Sequence, residues 1–322
     1  PIGKAYRGAF NATPAPTLAA HALRAAVERA GIAPGECEDC ILGCSLPQGY
    51  QHTIGRMAAL RAGLPVDVPG MTIERQCASG LMTIATAAKQ IIVDRMDIIL
   101  AGGVESISLV QTPELRIDPD PELVAMHDDA HMAMIDTAEV VARRYGIARA
   151  EQDAYALQSQ LRTAAAQAAG RFDAEIIPVT ASKRVIDKET GAEIMELVTL
   201  TRDEGNRPNS DLAGLASLKA VREEGAITAG NASQLSDGAS VAVLMEAKLA
   251  ERRGLTPLGR YVGMAVAGTK PDEMGIGPVF AVPRLLQRFG LGIDDIGLWE
   301  LNEAFAVQVL HCRDKLGIPD AL

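Results

Sequence analysis

At 322 residues the chain is longer than one hydrophobic core usually serves, so two or more domains are expected. Apolar residues at 48% against 22% charged exclude a disordered chain, and a net charge of −10 argues against a nucleic-acid-binding surface, though not against a local basic pocket for a phosphate-bearing ligand. Five cysteines, an odd number, make no disulfide framework and point to a reducing cytoplasm, and no apolar run of about 18 residues predicts a membrane span.

The opening Pro1-Ile-Gly-Lys-Ala5 reads as a turn, without a signal-peptide pattern or a starting methionine, so a missing true beginning is expected. Pro16 to Ala30 reads as an amphipathic helix closed by Gly31 and Pro34. Asp39 to Leu46 reads as a buried strand, and Ile54 to Ala62 as a short helix stopped by Gly63 and Pro65. Met71 to Ile73 reads as a strand, and a helix follows with Leu81, Ile84, Ala85, Ala88, Ile91 and Ile92 on one face. Met96 to Val104 is a strongly apolar strand. This alternation predicts α/β layers around a largely parallel sheet.

At Glu105 the rhythm changes. Residues 110–135 hold three prolines and many acids with little periodicity. Helices are predicted over Thr137–Tyr145 and Arg149–Ala169, and strands over Phe172–Val185 and Glu193–Leu200. The α/β pattern resumes with a strand at Ala239–Met245, another near Gly259–Val266, and a helix over Phe280–Phe289. Finally, Leu298 to Leu301 reads as a short strand turning into a helix at Asn302-Glu303. Two strand–turn–helix units suggest a duplicated architecture. The expected division is residues 1–109 with 236–256, an inserted subdomain over 110–235, and a second half over 257–322.

Cys77 stands where the third strand gives way to its helix. There it faces the positive end of the helix dipole, which favours thiolate over thiol. Ala78, Ser79 and Gly80 keep the first turn small, so another molecule can approach the sulfur. A nucleophile and a small buried joint residue both fit this position. Cys37, Cys40 and Cys44 have weak metal-ligand spacing, and two of them alternate with apolar residues of a strand, which favours core or surface thiols over a metal site. His21, His52, His127, His131 and His311 do not cluster; His127 and His131 lie four apart in an irregular segment. Dinucleotide, P-loop and nucleophile-elbow motifs are absent. Thr228-Ala-Gly-Asn-Ala-Ser233 reads as a tight turn or as backbone laid against an extended ligand. Asn302 fits a helix cap, or an amide holding a water beside a developing oxyanion.

Together these motifs resemble the thiolase family: Arg75-Gln-Cys-Ala-Ser-Gly-Leu81, Ala101-Gly-Gly-Val-Glu-Ser106, Thr228-Ala-Gly-Asn-Ala-Ser233 with Ser236-Asp-Gly-Ala239, and Glu300-Leu-Asn-Glu-Ala-Phe-Ala306. They occur in the family's order over essentially the whole chain. Tyr155-Ala-Leu-Gln-Ser-Gln160 leans towards the degradative branch. The resemblance implies a layered αβαβα fold of two similar halves with an inserted loop domain that binds coenzyme A, the second half truncated. It implies Cys77 as the nucleophile that forms an acyl thioester, with its backbone N–H serving the acyl-enzyme's oxyanion, and Asn302 holding an oxyanion-hole water. Ala229, Ser233 and Leu235 would lie along the pantetheine arm, Ala304 and Phe305 beside the acyl pocket, Arg207 near the nucleotide end, and Met134 in the pocket. Coenzyme A would be a substrate; no metal or redox cofactor, nucleic acid or membrane partner is implied, and a homodimer or homotetramer is.

The expected reaction is cleavage of a 3-oxoacyl-CoA by coenzyme A to acetyl-CoA and a shortened acyl-CoA, or its reverse. The family's Gly-His-Pro and Cys-x-Gly motifs, which supply its acid and base, are absent, and Cys312 is out of context. An incomplete thiolase is therefore the expectation. The alternatives are an acyl-CoA-binding protein without turnover, a biosynthetic acetoacetyl-CoA thiolase, and a decarboxylating ketoacyl synthase, for which His311 is a poor candidate.

Overall fold

The structure is a computed structural model that describes residues 1–321. In chain order its first elements are β1 (Gly3–Lys4), α1 (Ala15–Arg29), β2 (Asp39–Gly43), α2 (Ile54–Ala62), β3 (Met71–Ile73), α3 (Ser79–Lys89), β4 (Ile98–Ser106) and α4 (Ile107–Val110). Then come α5 (Pro121–Met126), α6 (Met134–Tyr145), α7 (Arg149–Ala168), β5 (Val179–Ile186), β6 (Glu193–Leu200), α8 (Leu212–Ala216), β7 (Ser236–Met245), α9 (Ala247–Arg252), α10 (Pro278–Phe289) and α11 (Ala306–Leu316). Two compact units result. Residues 1–116, 172–205 and 235–262 form one, and residues 117–171, 206–234 and 263–322 the other.

The first unit is a sheet of order β1-β7-β4-β2-β3. Pairing is parallel between β4, β2 and β3 but antiparallel between β7 and both β4 and β1. The sheet is thus mixed rather than largely parallel as expected. The reason is that β7 reaches β4 after the long excursion over residues 107–235, not through a crossover helix. Side chains on β2 and β4 alternate between faces, as the two-residue strand period requires. Cys40, Leu42, Ile98 and Leu100 pack with Leu18, Leu23, Ile54 and Ala58 of α1 and α2. Ile41, Ile99 and Ala101 pack with Ala87 and Ile84 of α3. Both faces are covered, which is why β2 and β4 read as continuous apolar runs. Leu18, Leu23 and Ile54 are each almost fully buried, worth about 1.5–3 kcal/mol apiece.

On α3 the predicted apolar face is only partly used. Ala85 and Ala88 are buried, but Leu81 is 75% exposed and Ile92 is 62% exposed. The last turn, Gln90–Asp94, widens to a π-turn and ends at Arg95 in the left-handed region (φ 65°). β5 and β6 form a separate antiparallel hairpin; residues 172–178, predicted as its first strand, carry no ladder.

The second unit is helical. Ala138, Val141 and Ala142 of α6, Val307 and Cys312 of α11, and Ile227 and Ile276 form its core. The strands predicted at Gly259–Val266 and Leu298–Leu301 do not form, because neither has a ladder partner among the described residues. Arg284 and Arg288 on α10 instead donate to the carbonyls of Val266 (3.2 Å) and Met264 (3.0 Å). The helix predicted from Asn302 begins at Ala306, with Phe305 as its cap, so Asn302 lies before the helix and is not its cap. Among the described residues no helix is long and apolar enough to cross a membrane.

Candidate active site

In the first unit, β3 ends at Ile73 and five residues turn the chain into α3. Gln76, a non-glycine residue, takes φ 48°, a conformation costing about 1–3 kcal/mol. Local bonds hold it there. Its N–H donates to the Glu74 carboxylate. The Ser79 hydroxyl accepts from the Arg75 N–H at 2.8 Å and donates to the Gln76 carbonyl at 2.6 Å. The Ala78 and Ser79 N–H groups return to the carbonyls of Arg75 and Gln76, both at 3.0 Å. Cys77 rides on this tight turn, just before the cap residue Ala78, and its side chain is exposed.

The other four cysteines are buried. Burial pushes the Cys37 thiol to about 11 and those of Cys40, Cys44 and Cys312 to about 12. Since the thiolate is the nucleophile, Cys77 is the thiol open to an electrophile. It lines a cavity of about 380 Å³ together with Gln76, Ser79, Leu81, Gly103 and Glu105. That volume lies within the range of small-molecule sites.

Glu105 anchors one wall. Its carboxylate accepts from the Ser45 N–H (2.9 Å), the Ser45 hydroxyl (2.6 Å) and the Gln51 amide. The Gln51 side-chain oxygen (Oε1) in turn accepts from the Ser106 N–H at 2.6 Å. This network ties the loop after β2 to the end of β4. Glu105 sits in a motif quoted above without an assigned role; Ser45 and Gln51 carry no sequence signal. Leu235, also in this unit, is exposed, and its carbonyl accepts from the Ala5 N–H at 3.0 Å.

The remaining predicted residues belong to the second unit. Thr228 to Ser233 is indeed a turn: the buried Asn231 side chain accepts from the Thr228 N–H (2.8 Å) and donates to Asp153 and to the Ala226 carbonyl, both at 3.0 Å. Beyond the turn, Ser233 N–H donates to the Ala304 carbonyl and Ala306 N–H to the Asn231 carbonyl, each at 2.9 Å. A short antiparallel bridge, Ala232 to Phe305, therefore brings Ser233 beside Ala304 and Phe305. Ala229 and Ser233 are exposed next to it, as is Asn302, whose amide has no hydrogen-bond partner among the described residues. Arg207 is exposed, its N–H held by the Gln160 side chain at 2.7 Å. Met134 opens α6 and is 41% exposed. His127 and His131 are exposed, and His311 is buried and stacked on Tyr145.

The family model described as the thiolase N-terminal domain matches residues 1–248, and that of the thiolase C-terminal domain matches residues 255–321. A 3-ketoacyl-CoA thiolase of Bacillus subtilis (strain 168) is 40% identical over 322 residues, covering 99% of this chain and 82% of its own. The peroxisomal 3-ketoacyl-CoA thiolase B of Mus musculus is 41% identical over 324 residues, covering 99% and 74%. The crystal structure of a Bacillus anthracis acetyl-CoA acetyltransferase superposes with a TM-score of 0.84 at 36% identity, covering 99% of this chain and 81% of that one. An exposed cysteine on a strained strand-to-helix turn, in a chain matched over nearly its full length at this identity, leaves one conclusion: the chain belongs to the thiolase family of acyl-CoA acyltransferases.

Proposed function

We propose that the reaction is thiolytic cleavage of a 3-oxoacyl-CoA, run through an acyl thioester on Cys77. The Cys77 thiolate attacks the C3 keto carbon to give a tetrahedral alkoxide. Collapse breaks the C2–C3 bond, leaving an acyl group on sulfur and the enolate of acetyl-CoA. A general acid protonates C2. Coenzyme A gives its thiol proton back to that acid, and the resulting thiolate attacks the acyl thioester and expels the Cys77 thiolate, so the acyl group leaves on coenzyme A and the proton balance closes. The covalent intermediate divides one difficult transfer into two easier ones.

The observation that carries this reading is the exposure of Cys77 on its turn beside a ligand-sized cavity, while every other thiol is buried. Two oxyanions need donors. The Cys77 backbone N–H serves the one formed on the acyl carbon. A water held by the unpartnered Asn302 amide serves the enolate oxygen; such a donor is worth about 2.7–4 kcal/mol. Ala229, Ser233 and Leu235 follow the pantetheine arm, Arg207 the nucleotide end, and Met134, Ala304 and Phe305 the acyl chain. The acid is neither Cys312, buried with its thiol raised to about 12, nor His311, buried against Tyr145. Coenzyme A enters as a substrate. No electrons change hands and the thioester is already activated, so the chemistry calls for neither a metal nor a redox cofactor.

A cytoplasmic home agrees with five free thiols. A homodimer or homotetramer agrees with the exposed Ile186, Met195 and Leu197 on the β5–β6 hairpin, an apolar surface that assembly would cover. The test is incubation of the full-length protein with acetyl-CoA, followed by peptide mass spectrometry. The expected result is acetylation of Cys77. A protein that binds acyl-CoA but leaves Cys77 unmodified is a binding protein instead.

A further inference from the structure

Among the described residues the Asn302 amide has no hydrogen-bond partner, yet the carboxylate of the residue after it is held at both oxygens. One Glu303 carboxylate oxygen accepts from the Tyr155 hydroxyl at 2.5 Å, and the other accepts from the Ser159 hydroxyl at 2.7 Å. Tyr155 and Ser159 lie four residues apart on α7 and so share one helical face. With each oxygen held by its own donor, the plane of the carboxylate is set. Both bonds are charge-assisted, the stronger kind. With both oxygens engaged, Glu303 is poorly placed to act as a free acid or base.

The clamp belongs to a wider arrangement. Beyond Glu303 the backbone is fixed by Ser233 at Ala304, by the Gln308 side chain at the Phe305 N–H (3.0 Å), and by Asn231 at Ala306. Asn231 is itself held by Asp153, which Arg149 pairs at 2.6 Å. Asp153 and Arg149 are again residues of α7. One rigid helix therefore sets both the turn at Asn231 and the side chain next to Asn302. Burial and the facing carboxylate push the Tyr155 phenol above its ordinary value, so it remains a donor throughout the working range.

We propose that Tyr155 and Ser159 are positioning residues for the carbon–carbon step: they pin Glu303 so that the adjacent Asn302 amide is preorganised for the water that donates to the enolate oxygen. The inference rests on the role given to Asn302 above. It also separates the two halves of the reaction. The enolate forms only when the C2–C3 bond breaks, whereas acylation of Cys77 by acetyl-CoA develops its charge on the acyl carbonyl. Loosening the clamp slows the first and spares the second.

The test compares the full-length protein with its Tyr155→Phe/Ser159→Ala double variant and with each single variant. The double variant is expected to lose roughly 10- to 100-fold in thiolytic kcat, since misplacement by an ångström can cost 10²-fold. Its KM for the 3-oxoacyl-CoA is expected to hold, and its single-turnover acetylation of Cys77 to proceed at the parent rate. Ser159→Thr keeps the hydroxyl and should keep the activity. In an Asn302→Ala background the double substitution should cost nothing further, because both act through one group. Full thiolytic activity in the double variant overturns the proposal, as does a loss shared equally by acetylation or one that adds fully to that of Asn302→Ala. If Asn302→Ala is slow and the clamp variants are not, the clamp fails alone. If Asn302→Ala turns over normally, the role of Asn302 fails and the clamp falls with it.

Discussion

Gly43→Ala tests how the sheet positions the turn that carries Cys77. Gly43 is the last residue of β2, paired with Ile73 on one side and Gly103 on the other. A Cβ built there would lie 2.5 Å from the Ser79 carbonyl carbon, 2.7 Å from Ser79 Cβ and 2.8 Å from the Gly80 nitrogen. These atoms form the first turn of α3, directly after Cys77 and Ala78. Restoring ordinary contact at 3.4 Å requires the turn to move by about 1 Å. Ser79 cannot move alone, because its hydroxyl is bonded to both Arg75 and Gln76. The strained turn under Cys77 moves with it. Overpacking of this kind costs about 1–3 kcal/mol, and misplacing the sulfur costs up to about 10²-fold in rate. Urea unfolding measures the first and single-turnover acetylation of Cys77 the second. The control is Gly80→Ala, one residue into the same turn, where an added Cβ meets no atom within 4 Å. There stability should be unchanged or up to about 1 kcal/mol higher, since glycine is a poor helix residue. If Gly43→Ala acylates at the parent rate, or if the two variants lose stability equally, the close approach of β2 to the turn does not hold Cys77 in place.

Two further outcomes are expected. Asn231→Ala strands the Thr228 N–H, the Ala226 carbonyl and one Asp153 oxygen in a buried setting, and should lower stability by about 1–3 kcal/mol in urea unfolding. His311 is held below its ordinary value of 6.5 by burial first and by Lys315 second, against the opposing pull of Glu273 and Asp314. Below that value the unfolded chain takes up a proton that the folded chain refuses, so the stability His311 provides near neutrality is lost as pH falls from 6.5 toward its folded value. Urea midpoints measured between about pH 7.5 and pH 5.5 should fall less steeply in His311→Gln than in the parent.

Much of the candidate site was legible because its signals are local. The cysteine between a short strand and a small-residue helix start is visible in Arg75 to Leu81, and the structure places it as read. Glu105, Tyr155, Ser159 and Glu303 stand inside motifs that could be quoted, but their partners are distant in sequence. Glu303 meets Tyr155 across 148 positions, and Glu105 meets Ser45 across 60. Spacing along the chain carries no trace of such contacts. The positive φ at Gln76 was equally hidden, since glutamine carries no turn signal.

Local sequence was enough to set helices α1, α2, α6, α7 and α10 and the apolar strands β2 and β4, because periodicity and end signals act within a few residues. It also determined which thiol stands at a helix start. Contacts between distant segments make the sheet mixed and give Gly259–Val266 and Leu298–Leu301 no β-ladder among the described residues, for a strand exists only through hydrogen bonds to another segment. Likewise the packed chain alone sets which polar groups meet Glu105 in the one unit and Glu303 in the other, since polar groups drawn out of water must find partners wherever the fold brings them.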